Sequence, residues 1–179
     1  MGPSPDRHLA SLTQNHDRAV REFVDKARAI DATRWLTPRA EGKWTPAQEA
    51  RHIILTYEEF VRQLHGSSPI RLRGGLYTRF VSRAIGLTSI LWFGKIPVAV
   101  RAPREIRPEP DTRPSAELLA ELESRTADFT QLFVDACHQT PRPRVQHPLF
   151  GRVSLATGIR FLAVHTRHHA AFLPPTRTS

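Results

Sequence analysis

Apolar residues recur along most of this chain at helical spacing. Leu9, Leu12, Ala19, Val20, Phe23, Ala27 and Ile30 share one face of a helix over 7–30, and polar residues fill the other face. Residues 31–43 then read as a loop holding Trp35, Pro38 and Gly42. A second helix starts at Thr45-Pro46-Ala47-Gln48, where threonine caps, proline suits the first helical position and the glutamine completes a capping box. It is expected to run to about residue 65, stop at Gly66 and bury Ala50, Ile53, Ile54, Tyr57, Phe60, Val61 and Leu64. Ser115 is placed as the cap of a third helix, with Leu118, Leu119, Leu122, Thr126, Phe129, Phe133 and Ala136 along one side. That helix ends before Pro141, and a proline-rich loop over 141–151 leads to a fourth helix over 154–172, stopped by Pro174-Pro175.

The stretch between the second and third helices is less regular. Ser67-Ser68-Pro69 and Gly74-Gly75 are breakers, 76–93 has the pattern of a further helix, and 97–114 is extended and proline-rich. It reads as a helical insertion folded over the bundle, in preference to an arginine-bearing helix lying on a membrane surface. No internal repeat and no β-like alternation appears. The pattern predicts an all-α bundle, one domain over residues 1–179.

Composition narrows the setting. A chain of 179 residues is long enough for one domain with a real core. No uncharged apolar run is long enough to span a bilayer, because the best candidate, 84–100, is interrupted by Gly94, Lys95 and Pro97. Asp6, His8 and Gln14 stand where a signal peptide needs an apolar stretch. Cys137 is the single cysteine, so a disulfide within the chain is excluded and a reducing cytoplasm is the expected compartment. The net charge of +9 invites a nucleic-acid partner, but the arginines are scattered, which argues against one as the main function. No Asp or Glu follows Asp135. That basic C-terminal part either favours anionic ligands or is a solvated face.

The candidate chemistry lies in His165-Thr-Arg-His-His169 on the fourth helix. A helix turns about 100° per residue, so residues four apart point nearly the same way. Measured from Leu162, His169 falls about 20° from the centre of the buried stripe, His165 about 60° and His168 about 120°. His165 and His169 therefore present two imidazoles to one point, as a helical metal site requires; the alternative is a pair of core histidines bonded to neighbours. Of the other histidines, only His52 lies near the start of a long helix able to pack beside the fourth. Helical arithmetic places His52 about 130° from the stripe of its own helix, at a boundary or exposed. Glu49 and His52 have the Glu-x-x-His spacing of carboxylate-bridged di-iron bundles, but the fourth helix carries no carboxylate and that reading fails on ligand count. His147 is expected to close its loop by hydrogen bonding, with an acid/base role near the site as the alternative. Trp44 is expected to anchor the core.

The stretch Trp44-Thr-Pro-Ala-Gln-Glu-Ala-Arg-His52 resembles the W-[ST]-P-x(5)-H opening of the second helix in the DinB-like family, which includes bacillithiol- and mycothiol-dependent transferases. The His165/His169 pair is similar to the H-x-x-x-H of that family's fourth helix, and His147-Pro-Leu-Phe-Gly151 to the motif that precedes it in some branches. The resemblance spans about residues 8–173. It implies a four-helix bundle of up-down-down-up connectivity, with the irregular stretch as an insertion between helices two and three. It also implies one divalent metal, zinc or nickel, held by His52, His165 and His169 with positions left open. Phe172 departs from the pattern, since many relatives carry glutamine there.

A three-histidine open site is a Lewis acid, able to lower the pKa of a water toward about 7 or to hold a thiol as thiolate. The resemblance thus implies a metal-dependent thiol S-transferase or a hydrolase acting on a small-molecule substrate. An anionic low-molecular-weight thiol is the expected cofactor or partner, and a homodimer the expected assembly. The competing classes are a non-catalytic, metal-stabilised stress-response or interaction bundle and, behind it, a basic nucleic-acid-associated protein.

Overall fold

The computed structural model describes residues 5–70, 87–94, 96, 102–147 and 150–175. Among these residues the helices are α1 (Pro5–Arg28), α2 (Ala32–Trp35), α3 (Pro46–Leu64), α4 (Thr88–Phe93), α5 (Ser115–Gln139) and α6 (Leu155–Ala170). A 3₁₀ turn (Arg104–Ile106) precedes α5, and a short hairpin of β1 (Arg144–His147) and β2 (Gly151–Ser154) precedes α6.

The four long helices follow the sequence pattern because each carries one continuous apolar stripe. In α1, Leu12, Ala19, Val20, Phe23, Val24 and Ala27 are buried, packed on α5 and α6. In α3, Ala50, Ile53, Ile54, Tyr57 and Phe60 are buried, mostly against α5. Phe129 and Phe133 of α5 are fully buried, each contributing on the order of 2–3 kcal/mol by leaving water. At the start of α3 the capping box forms as read: the Gln48 N–H donates to Thr45 Oγ1 at 3.1 Å, and the Thr45 N–H to Gln48 Oε1 at 3.1 Å. Gly66, with φ of 81°, follows the end of α3 in the left-handed region that favours glycine.

Three local expectations are corrected. The loop over 31–43 contains one helical turn, because the Asp31 side chain accepts from the Arg34 N–H at 2.9 Å and caps α2. Trp35 is buried beneath that turn, and its indole N–H donates to the Arg113 carbonyl at 3.0 Å. Ser115 does not cap α5; Pro114 holds the cap position and makes no side-chain hydrogen bond there. The loop over 141–151 is mostly β-hairpin, with Val145 opposite Val153 and both buried. Four-residue strands carry one inward residue each, too few to show as alternation. Gln63 of α3 supports β1 like a neighbouring strand: its Nε2 donates to the Gln146 carbonyl at 3.0 Å, and the Gln146 N–H donates to its Oε1 at 2.8 Å.

Of the helix expected over 76–93, residues 76–86 lie outside the described residues, as do 95 and 97–101 of the stretch that follows. The described part of the insertion does fold over the bundle, α4 against α6 and the 3₁₀ turn against α3. None of the described helices is long and apolar enough to cross a membrane.

Candidate metal centre

Two helices bring three histidines together. The N-terminal half of α3 presents Glu49, His52 and Thr56 on one side, and all three are buried. The facing side of α6 presents His165 and His169. His52 Nε2 lies 3.2 Å from His165 Nε2, which lies 3.2 Å from His169 Nε2. Two metal–nitrogen bonds of about 2.05 Å enclosing a tetrahedral angle would span about 3.3 Å. The spacing of the nitrogens fits one small divalent cation.

The far side of two rings is fixed. His52 Nδ1 donates to the Ile106 carbonyl at 2.7 Å, so its Nε2 carries a lone pair. His169 Nδ1 meets Glu49 Oε2 at 2.6 Å, with both side chains nearly enclosed. When Glu49 is ionised, His169 Nε2 is an acceptor as well. Two lone pairs then converge on His165 Nε2, which has at most one hydrogen to give. A cation between the three nitrogens resolves that conflict. The backing of imidazole by a carbonyl and by a carboxylate is the arrangement that orients histidine ligands. His165 Nδ1 is buried and has no hydrogen-bond partner among the described residues.

Electrostatics favour the ligand form. Burial lowers the His52 pKa to about 4, aided by the His168 charge and opposed by the Ile106 carbonyl. Burial also holds His165 and His169 well below the usual histidine range, with mutual repulsion within the cluster adding to it. All three are therefore neutral at neutral pH, as coordination requires. Burial pushes the Glu49 carboxyl up to about 8 while Arg39 pulls it down. A cation at the triad would hold it ionised, since an opposite charge favours the charged form.

The triad opens into a pocket of about 660 Å³, within the range of small-molecule sites. Its apolar wall includes Phe60, Ile70, Ile90, Phe150 and Phe161, and its polar wall Thr56, Glu59, Gln63 and Gln146. Glu59 braces that wall, accepting from Gln63 Nε2 at 2.9 Å and from the Ile70 N–H at 3.1 Å.

Measured against the sequence reading, His165 and His169 face inward together, and His168 sits to one side, half-buried, its ring edge-on to Phe172. His52 was placed at a boundary by its helical angle and is instead buried, because Trp44 covers its ring at 4.9 Å and the 3₁₀ turn closes over its Nδ1. Trp44 is thus half-buried in the pocket wall, stacked at 6.2 Å on His169, rather than a core anchor. His147 accepts weakly from the Phe150 N–H at 3.4 Å, which supports its loop role, and its ring lines the pocket between Phe150 and Phe161. Among the described residues, the cations lining the pocket are Arg39, Lys43 and Arg107, none from the basic C-terminal part. Arg152 and Arg160 of that part are exposed, and Arg167 is paired with Glu22 at 2.8 Å.

Sequence reasoning missed Glu49 as the partner of His169. Its signal was present: a carboxylate one turn before His52 on the same helix. It also passed over His16, which occupies a stripe position of α1, is fully buried and meets the Tyr57 hydroxyl at 2.8 Å.

A helical bundle whose histidine triad is spaced and protonated for a divalent cation defines a class of metal-compatible proteins. The family model of the DinB superfamily matches residues 14–173. The chain belongs to the DinB superfamily, which is metal-binding. Neither a curated protein nor a solved structure matches it.

Proposed function

We propose that His52, His165 and His169 hold one divalent metal ion, zinc or nickel, and that the protein is a metal-dependent thiol S-transferase or hydrolase of a small organic molecule. The gathering of three imidazole nitrogens within 4.8 Å of one another, in the lining of a pocket large enough for a substrate, carries this reading. Bound there, the metal supplies Lewis acidity to a thiol or water entering from the pocket. Ile106 and Glu49 aim their two histidines, Trp44 and Phe161 cover the rings, and the apolar wall excludes water around the reacting atoms. His147, in the same wall, is held neutral by burial and closes its loop against Phe150.

The same family reading takes the four long helices as an up-down-down-up bundle in one domain, working in the cytoplasm and forming a homodimer. A non-catalytic, metal-stabilised bundle is the alternative, and the open pocket beside the triad argues against it, since a purely structural site is closed.

Untagged protein, grown with zinc and nickel available and purified without chelators, is expected to carry close to one metal per chain. The triple variant His52→Ala, His165→Ala, His169→Ala is expected to carry almost none. Cobalt substitution of the wild type is expected to give the visible absorption of a low-coordinate site. Wild type with under about 0.1 metal per chain, and no such absorption, sinks the reading.

A further inference from the structure

The pocket mouth has an uneven charge balance. Arg39, Lys43 and Arg107 line it, and none of the three has an ion pair among the described residues. Every Asp and Glu of the chain lies within those residues. The lining carboxylates are already engaged, Glu49 with His169 and Glu59 with Arg62, Gln63 and the Ile70 N–H.

Arg39 is also held in place. Its guanidinium carbon lies 3.9 Å from the centre of the Phe172 ring, a cation–π seat at the end of α6. Phe172 in turn meets His168 edge-on at 4.5 Å and His169 at 5.8 Å, so the seat is continuous with the triad. The Arg39 charge is felt at Glu49, His168 and His169. A guanidinium stacked by one face keeps its in-plane N–H donors free for an anion. Behind it lies the apolar wall of Phe150, Phe161, Ile70 and Ile90.

We infer that this pocket selects an organic anion, with Arg39 seated on Phe172 holding the anionic group and the aromatic–aliphatic wall holding an apolar body. The inference deepens the function proposed above, since it names the substrate class of the same pocket. It assigns specificity to a residue at the mouth rather than to the basic C-terminal part. Phe172 acquires a purpose as well: it carries the arginine that reads the ligand.

The test uses 4-phenylbutyrate and its uncharged amide, 4-phenylbutyramide, titrated calorimetrically into wild-type, Arg39→Gln, Arg39→Lys and Phe172→Leu proteins of measured metal content. A charge-assisted contact in a partly enclosed site is worth roughly 10- to 100-fold, so wild type is expected to prefer the carboxylate by about that factor. Arg39→Gln is expected to bring the two probes to within about threefold while leaving amide affinity and metal content unchanged. Arg39→Lys is expected to keep part of the preference, and Phe172→Leu to lower it by loosening the seat. Equal binding of the two probes by wild type overturns the inference. So does a preference that survives Arg39→Gln, which would place the carboxylate on Lys43, on Arg107 or on the metal itself. Wild type that prefers the carboxylate yet holds no metal supports the anion site and removes the metal reading. A metal-loaded wild type without preference does the reverse.

Discussion

Replacing Glu49 separates a residue that tunes a ligand from one that stabilises the fold. Its Oε2 lies 2.6 Å from His169 Nδ1, and the residue is 4% exposed. A carboxylate backing a ligating imidazole typically contributes 10- to 100-fold to metal affinity, about 1.4–2.8 kcal/mol. Glu49→Gln keeps an oxygen able to accept from Nδ1 and loses the charge, so it is expected near the low end, about 10-fold. Glu49→Ala also strands a buried donor, which costs about 1–3 kcal/mol, so it is expected near the high end, about 100-fold. Stability of metal-free Glu49→Gln is expected to move the other way. Burial raises the Glu49 pKa from 4.5 to about 8, so the folded state resists ionisation that the unfolded chain undergoes freely above about 4.5. That opposition destabilises the native state at neutral pH, and the neutral amide of Glu49→Gln does not carry it. Competition titration against a chromophoric chelator measures the affinity, and thermal melts of stripped protein measure the stability. Glu49 does not have this role if Glu49→Gln binds metal like wild type, if Glu49→Ala binds no more weakly than Glu49→Gln, or if stripped Glu49→Gln melts well below wild type.

Two further outcomes follow from the buried histidines. The Tyr57 hydroxyl links His16 Nε2 at 2.8 Å to Thr166 Oγ1 at 3.3 Å in the core, so Tyr57→Phe leaves the His16 nitrogen without that partner. Denaturant unfolding is expected to show a loss of about 1–3 kcal/mol with metal stoichiometry intact; an unchanged midpoint would contradict it. Burial also lowers His52 to about 4 and His147 to about 3, against an unfolded value near 6.5. At these two sites the unfolded chain therefore binds more protons below pH 6.5, so their contribution to stability is full above that pH and falls as the pH drops toward 4 and then 3. Urea midpoints from pH 7 to pH 4 are expected to decline, and His147→Gln to flatten the decline; a flat wild-type profile would show these rings are not held neutral.

The four long helices were legible from spacing and composition alone, since each stripe is a local property. The capping box at Thr45 and Gln48 and the stop at Gly66 were equally local. The inward pairing of His165 with His169 followed from the helical angle alone. Groups brought from elsewhere in the chain were not legible in this way. The helical angle of His52 points away from its own stripe, and the residue is buried because the 3₁₀ turn supplies the Ile106 carbonyl and Trp44 supplies a ring. The hairpin exists because Gln63 of α3 pairs with its backbone, a partner distant in sequence. Glu49 became a histidine partner only when α6 packed against α3, and Phe172 became a seat only when the loop carrying Arg39 crossed the pocket mouth. Periodicity records which face of one element turns inward. It does not record which other segment meets that face, and at this centre that meeting sets protonation, burial and charge.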